Sequence, residues 1–468
     1  MDDLTVSRNV LLMTAVLWPV SSVVAWDPNS GDWSKSEVTD VRIMTWNVED
    51  DICSSCSKVE GLLRPWEALT RIVAGLQPDI LILQEMGDNS GADFGGGGGV
   101  DSVSELETTI ELFMHGGPDP FEGGSVTAYV QKYAPGYDLP YVFVSTRTDA
   151  FNRNVILSRY PFADLNGDTK SMLSDIPILL ADEYAPGGTG GIRGYMLAEI
   201  DLPDETYAGD LVVGNGHLKA GGSSSDAIDR REAAQNVAYI IDYWLNGAGT
   251  GTPNPAGTIF ASPAATHTLS ENTPVIWGGD WNQDELTDGT KGPADWMTMA
   301  ENADSAGGAD GTDRDGTDSV FDESVHFFTG SPATQSSRKL DYLAWQESIV
   351  ELRRSFTFNT SGTPTAALPP EVAGFSFPTG ASGLASDHRP VIGDFVLPAA
   401  DPTGPNPDWD GDGDVDLVDF GVFQLCFTGA DAGSIDHGCV WADSDSDADV
   451  DLVDFGSFQL AFTGSIGG

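Results

Sequence analysis

The residues most able to do chemistry in this chain stand in six short sequences, each tied to an apolar run. TWNVED carries Asn47, DILILQE ends on Glu85, and LVVGNGHLK carries His217 and Lys219. VIWGGDWNQ carries Asp280 and Asn282, RKLDYLAW carries Asp341, and ASDHRPVIGDF carries Asp387 and His388. One polar residue at a strand end is ordinarily a turn or cap residue; six in order form a set. Carboxylates and carboxamides are oxygen ligands for hard divalent ions. Histidine beside aspartate is an acid–base pair suited to neutral pH.

A second set lies near the C-terminus. DWDGDGDVDLVDFGVFQLCFTG starts at Asp408, and DSDSDADVDLVDFGSFQLAFTG starts 35 residues later at Asp443. Asp falls at positions 1, 3, 5, 7, 9 and 12 of each copy. These are Asp408, Asp410, Asp412, Asp414, Asp416 and Asp419, then Asp443, Asp445, Asp447, Asp449, Asp451 and Asp454. Six carboxylates this close repel unless a hard cation neutralises them, and the spacing is that of a calcium loop. Gly413 fills position 6, where such a loop turns sharply; Ala448 stands there in the second copy. Each loop runs into an apolar segment with Phe420, Phe423 and Phe427, or Phe455, Phe458 and Phe462. That spacing gives one apolar helix face per copy, and two faces can bury each other.

The elements that must position the first set are short. Strands are expected at Val41–Val48, Asp79–Gln84, Tyr141–Ser145, Asn154–Ser158, Tyr195–Ile200, Leu211–Gly214, Thr273–Trp277, Lys339–Ala344 and Val391–Val396. Helices are expected at Pro65–Leu76, Ser102–Met114, Asp226–Trp244 and Ala294–Asn302, with long Gly-rich loops at Gly87–Val100, Gly116–Ser125 and Asn246–Asn272. Many strands with few helices between them predict an α+β fold, two packed sheets with helices outside.

The order of the six sequences resembles the endonuclease/exonuclease/phosphatase superfamily, whose fold is a four-layered βα-sandwich of the DNase I-like type. The resemblance spans about Val41 to Phe395, and its most specific parts are G-D-x-N at Gly279–Asn282 and S-D-H at Ser386–His388. It implies Mg²⁺ or Mn²⁺ held by Asn47 and Glu85 with Asp387 close by. It implies His388 as general base or its electrostatic partner, oriented by Asp341, and Asp280 and Asn282 positioning the water and a phosphoryl oxygen. His217 would contact a phosphate oxygen or help the leaving group. The implied chemistry is in-line hydrolysis of a phosphoester. The repeat resembles a dockerin, a small α-helical, EF-hand-like module binding Ca²⁺, which implies a cohesin-like or cell-surface partner.

Composition sets the bounds. The chain has 468 residues, and 22 Lys+Arg against 72 Asp+Glu give a net charge of -50. Such a chain has no broad basic face for nucleic acid and no polybasic membrane anchor. Residues 401–468 hold fifteen Asp and no Lys, Arg or Glu. The scarce cations Arg153, Arg159, Lys219, Arg230, Arg231, Arg338, Lys339 and Arg389 flank the six sequences. They predict a local positive site for phosphate, with Lys219, Arg153 and Arg159 as substrate contacts. Asn9 to Ala25 is uncharged and ends in small residues, as a secretory signal does. It falls short of the about 18–20 apolar residues a span needs, so the mature chain should have no membrane span. Cys53 and Cys56 form a lone C-x-x-C, open to a local disulfide, free thiols or a zinc or redox site; Cys426 and Cys439 should staple the tail.

The expected organisation is a signal peptide at 1–25, a catalytic domain at 41–398, a linker at 399–407 and calcium repeats at 408–464. The expected protein is a secreted, metal-dependent phosphoesterase, first of all an extracellular endonuclease or phosphodiesterase. A sphingomyelinase or phosphatase comes second, and a non-catalytic scaffold displayed by its tail is the alternative from another class.

Overall fold

The computed structural model describes residues 26–88, 100–148, 151–165, 172–176, 195–204, 206–230, 233–234, 237, 269–270, 272–284, 324–346 and 349–400, and in the tail 409, 415–430, 435, 439–444 and 449–462. The expected signal segment, the linker at 401–407 and most of the predicted helices Asp226–Trp244 and Ala294–Asn302 lie outside the described residues.

Two sheets stack face to face. The first runs β12-β13-β1-β2-β6-β5, from β1 (Val41–Asn47), β2 (Ile80–Met86), β5 (Tyr141–Val144), β6 (Arg153–Ser158), β12 (Glu351–Thr357) and β13 (Val391–Val396). The second runs β11-β10-β9-β8-β7, from β7 (Leu173–Ile176), β8 (Tyr195–Ile200), β9 (Leu211–Gly216), β10 (Val275–Asp280) and β11 (Asp341–Trp345). The two-residue strands β3 (Gly117–Pro118) and β4 (Ser125–Val126) pair by themselves. All nine expected strands are present within a few residues; β7 and β12 were not expected.

Strand parity explains the layers. Val41 and Ile43, Ile80 and Ile82, Val213, Ile276 and Leu343 meet in the core between the sheets. Their alternates Met44, Trp46, Leu81 and Leu83 form a second core with α1 (Pro65–Leu76) and α2 (Val103–His115). Central strands covered on both faces read as continuous apolar runs rather than alternating ones. Each fully buried Leu or Ile contributes ~1.5–3 kcal/mol. Helix α1 opens on Pro65 at its first position, and α2 on a Ser102/Glu105 capping box, which meets otherwise unpaired N–H groups.

The same strand arrangement occurs twice. β1 lies parallel to β2 and antiparallel to β13; β10 lies parallel to β9 and antiparallel to β11. The C-terminal ends of β1, β2, β9 and β10 and the starts of β11 and β13 therefore share one edge of the sandwich. By parity Asn47, His217, Asp280 and Asp341 all face the gap between the sheets at that edge. Asn215 closes the gap beneath them: its Nδ2 donates to the carbonyls of Leu83 and Val155 at 2.9 and 3.0 Å, and its Oδ1 accepts from Gln84 at 3.0 Å.

The pair Gly278–Gly279 lets β10 approach β9. Gly279 has φ +155°, and a Cβ there would run into the Gly216 carbonyl. Gly279→Ala is therefore expected to destabilise the fold by ~3 kcal/mol, read as a lower urea midpoint at unchanged slope.

The tail forms two helices, Leu417–Cys426 and Leu452–Ala461, each opened by an Asp capping box. Phe423 and Phe458 pack with tilted rings 4.9 Å apart between centres, with Phe420 and Phe455 around them. Phe427 and Phe462 instead take the C-cap positions and are 45% and 42% exposed, because each helix ends one residue too early to carry them on its buried face. Cys426 bridges Cys439, and Cys53 bridges Cys56, so the C-x-x-C is a local disulfide.

Candidate active site

One oxygen is the hub. Asp280 Oδ2 accepts from Asn47 Nδ2 at 3.0 Å and lies 3.4 Å from His217 Nε2 and 3.7 Å from His388 Nε2. His388 Nδ1 bonds Asp341 Oδ2 at 2.8 Å. Asp341 is paired with Asp280 across the β10–β11 ladder, so strand register alone delivers the second carboxylate to the first.

Glu85 needs a special device. By parity it would face α1 and α2 with Leu81 and Leu83. The register between β2 and β6 shifts between Leu83 and Met86, and Glu85 itself has φ +55°. This irregularity turns its carboxylate toward the site, as bulges beside functional sites do, and leaves Oε1 3.6 Å from His217 Nε2.

The remaining expected residues sit around this centre. Asn282, at φ +57°, donates its backbone N–H to Asp280 Oδ1 at 2.9 Å and its amide to the Leu218 carbonyl at 3.1 Å. These bonds hold Asp280 and the loop carrying His217. Asp387 stands on the rim, 47% exposed, 3.9 Å from His388 Nε2, with its carboxylate accepting from Gln335 at 2.7 Å. Ser386 supports the same turn, its hydroxyl bonding the Asn47 carbonyl at 2.7 Å and accepting from His388 N at 2.9 Å.

Electrostatics separate the titratable groups. Burial raises Asp280, with Asp341 and Glu85 adding to it against His388 and Asn47, to about 7. Burial alone would pull His388 down, but the Asp341, Asp280 and Asp387 carboxylates outweigh it and raise it to about 10. Beside them burial, then Asp387 and Glu85, raises Glu49.

The structure places one expected substrate contact, Arg159, away from the site and shows what holds several of the other cations. Arg159 bonds Asp79 at 2.8 Å, at the end of the sheet opposite the site. The reason is direction: β6 runs antiparallel to β2, so Arg153 is beside Met86 while Ser158 is beside Ile80. Six residues of strand place Arg159 about 20 Å away. Arg153 does lie at the site end, but its guanidinium holds the carbonyls of Asp101, Ser145 and Arg147. Lys219 turns to the Ala220 carbonyl and Asp226, Lys339 to Ser324, and Arg389 to the carbonyls of Ser382, Ser386 and His388. Arg230 is buried rather than solvent-facing. It bonds Gln283 at 3.0 Å and the carbonyls of Lys219 and Gly221 at 2.8 and 2.9 Å, tying the loop after His217 to the loop after Asp280. Arg231 lies outside the described residues.

Two residues went unnoticed in the sequence. Glu49 accepts the Asp387 N–H at 2.7 Å; one of two adjacent acids closing TWNVED reads as an ordinary turn residue. Asn154 is fully buried, neither of its amide atoms has a partner, and it shares parity with Ile156, which faces the gap between the sheets. An unpaired buried amide is costly, and among the described residues nothing offsets it. The available signal was a polar residue on the core-facing parity of an apolar strand.

The centre fits a divalent ion. Among the described residues Glu49, Glu85, Asp280, Asp341 and Asp387 converge beside the imidazoles of His217 and His388, and Asp341 Oδ1 is buried without a partner. Asp280, Asp341 and His388 can offer ligand atoms within 4.8 Å of one another. In the tail, Asp449, Asp451 and Asp454 do the same. Asp419 and Asp454 bridge the two ends of their loops, accepting from Trp409 and Asp416 and from Ser444 and Asp451. Asp408, Asp410, Asp412, Asp414, Asp445 and Asp447 lie outside the described residues. Calcium added to EDTA-treated protein is expected to raise the helical circular dichroism signal of the tail, since ligand repulsion opposes the metal-free fold; an unchanged spectrum refutes the calcium assignment.

No family model and no curated protein matches the chain. Among solved structures it is similar to an endonuclease/exonuclease/phosphatase from Beutenbergia cavernae, at 17% identity over 77% of this chain and 72% of that one, TM-score 0.39. It is similar to the human Nocturnin catalytic domain with bound sulfate, at 15% identity over 77% and 95%, TM-score 0.38. It is also similar to a Bacteroides thetaiotaomicron mannosyl-6-phosphatase, at 13% identity over 76% and 100%, TM-score 0.38. Function therefore rests on the residues of the site.

Proposed function

We propose that the chain is a divalent-metal-dependent phosphodiester hydrolase of the endonuclease/exonuclease/phosphatase type. The observation that carries this is the convergence of Asn47, His217 and the His388–Asp341 pair on Asp280 Oδ2, with Glu85 turned in beside them. Glu85 and Asn47 would hold Mg²⁺ or Mn²⁺, which would supply Lewis-acid polarisation of a phosphoryl oxygen. Asp280, whose Oδ2 lies beside both imidazoles, is suited in its ionised form to take the proton of the attacking water. His388, kept protonated by Asp341, donates to a phosphoryl oxygen as negative charge builds there. As the ester P–O bond breaks, His217 is placed to protonate the departing oxygen.

The reading includes export by residues 1–25 and calcium-loaded repeats that attach the enzyme to a cohesin-like or cell-surface partner. No described helix is long and apolar enough to cross a membrane. Nucleic acid remains the first substrate suggested by the sequence. The engaged cations of the site favour a compact phosphodiester instead, because a polyanion needs Lys or Arg over successive phosphates. The test is a panel of bis-p-nitrophenyl phosphate, plasmid DNA, RNA, sphingomyelin and phosphate monoesters with Mg²⁺, Mn²⁺ and EDTA. Metal-dependent turnover of at least one diester is expected, and none on any phosphoester overturns the reading.

A further inference from the structure

Asn154 is placed across from the irregularity that turns Glu85 toward the site. Strands β2 and β6 pair Leu83 with Val155 and Met86 with Arg153, so Gln84 and Glu85 together oppose the single residue Asn154. Two residues on one strand against one on its partner is the count of a β-bulge. Asn154 therefore faces Glu85, whose φ is +55°, rather than an ordinary ladder partner.

The neighbouring amides show what the fold asks of a carboxamide here. Asn215 Nδ2 donates to the Leu83 and Val155 carbonyls, and its Oδ1 accepts from Gln84 Nε2, which also reaches Thr45 Oγ1 at 3.2 Å. Those bonds tie the two sheets together beneath the site. Asn154 lies one residue nearer the site than Val155 and is fully buried, yet neither of its amide atoms has a partner among the described residues. An apolar side chain would serve the fold better, since a buried donor left unmatched is a net loss. The fold has no use for this amide, and it stands opposite a carboxylate with a catalytic use.

We propose that Asn154 is a positioning residue for Glu85: its amide donates a hydrogen bond to the Glu85 carboxylate when that carboxylate holds a divalent ion. The inference rests on the phosphoesterase reading in one respect, that Glu85 is a metal ligand. Carboxylates that bind metal are themselves hydrogen-bonded, and losing such a partner ordinarily costs about 10–100-fold in metal affinity or activity. At a bulge the ladder alone does not fix where a side chain points, so a donor across the strand supplies the missing constraint.

The test uses the full chain with Asn154→Leu, which keeps the approximate shape and removes the amide, and Asn154→Ser, which keeps a donor on a smaller side chain. Mn²⁺ binding is measured by calorimetry and stability as the urea midpoint in EDTA. Asn154→Leu is expected to bind Mn²⁺ at least about tenfold more weakly, with a midpoint equal to or above that of the wild type. Asn154→Ser should show the opposite order, binding Mn²⁺ more tightly than Asn154→Leu but with a lower midpoint, because it leaves a cavity. A residue that only supports the fold does not separate the two readouts in this way. In a Glu85→Gln background, Asn154→Leu should weaken binding by less than about twofold more, since it acts through the carboxylate. Unchanged Mn²⁺ affinity in Asn154→Leu overturns the inference and leaves the phosphoesterase reading intact, and so does a further loss of about tenfold in the Glu85→Gln background. A midpoint for Asn154→Leu well below the wild type also overturns it, because the amide would then be supporting the fold, as by pairing with the buried Oε1 of Gln84. A wild type that binds no Mn²⁺ overturns the metal reading and this inference together.

Discussion

His388→Ala lowers kcat/KM by ~10²–10⁴-fold, the range for losing a positioned proton donor or acceptor at the reacting centre. The loss falls mainly on kcat, since the imidazolium is aimed at charge that develops during reaction. Asp341 acts through His388, to which it bonds at 2.8 Å. Asp341→Asn therefore lowers activity in the wild-type background, and adding it to His388→Ala lowers activity little further. The pH profile separates the two roles. Burial alone depresses His388, and Asp341 first among the carboxylates reverses this to about 10. With Asp341 replaced, activity should fall as pH rises from 7 to 9, while the wild type holds. The folding linkage has the same sign. A histidine pKa raised from 6.5 to about 10 adds stability that is complete below about pH 6.5 and lost as pH rises through 10. Urea midpoints of the metal-free wild type and Asp341→Asn should therefore converge as pH approaches 10. An alanine variant with near-native turnover contradicts the assignment of His388.

The two-sheet sandwich is legible in the order of motifs because strand ends are legible: each apolar run stops where a polar residue must face water or a ligand. Parity then carries Asn47, His217, Asp280 and Asp341 into one gap without any further assumption. Glu85 was found by its position after DILILQ, but the irregularity that makes it face the site is invisible in sequence, since a bulge depends on the partner strand. Strand β12 escaped because ELRRSFT is an edge strand with a mostly exposed first half, and paired arginines do not mark a strand. The cations misled for a related reason. Proximity along the chain was read as proximity in space, and β6 crosses the sheet between Arg153 and Arg159. Arg42 shows where such charges go: it bonds both oxygens of Asp394 at 2.6 and 2.8 Å and the carbonyls of Trp33 and Leu76. In an acidic chain most cations have a carboxylate or carbonyl to hold, so few remain for substrate.

That shortage makes metal withdrawal the other large effect. EDTA is expected to reduce turnover to background, with Mg²⁺ or Mn²⁺ restoring it. The physical reason is the charge balance at Asp280. Without an ion, burial and its acidic neighbours hold this carboxyl up at about 7, so near neutrality it is only partly ionised. A divalent cation beside Glu85 and Asn47 favours the ionised form and supplies the positive charge the basic residues do not. The same ion relieves repulsion among converging carboxylates, so the melting temperature should drop in EDTA and recover with Mg²⁺. Glu85→Gln keeps the shape but removes one ligand charge. It should raise the Mg²⁺ concentration for half-maximal activity by at least ~10-fold, and excess metal should restore part of the rate. His388→Ala should show no such rescue, which distinguishes a lost ligand from a lost proton donor. The tail provides an internal control. Calcium should restore its helical signal in EDTA-treated protein, and Asp454→Ala should reduce that response by removing one of the two loops while leaving Mg²⁺-dependent turnover in place. Full turnover in EDTA would instead mean that Asp280, His388 and His217 act alone, and the metal-dependent mechanism would be wrong.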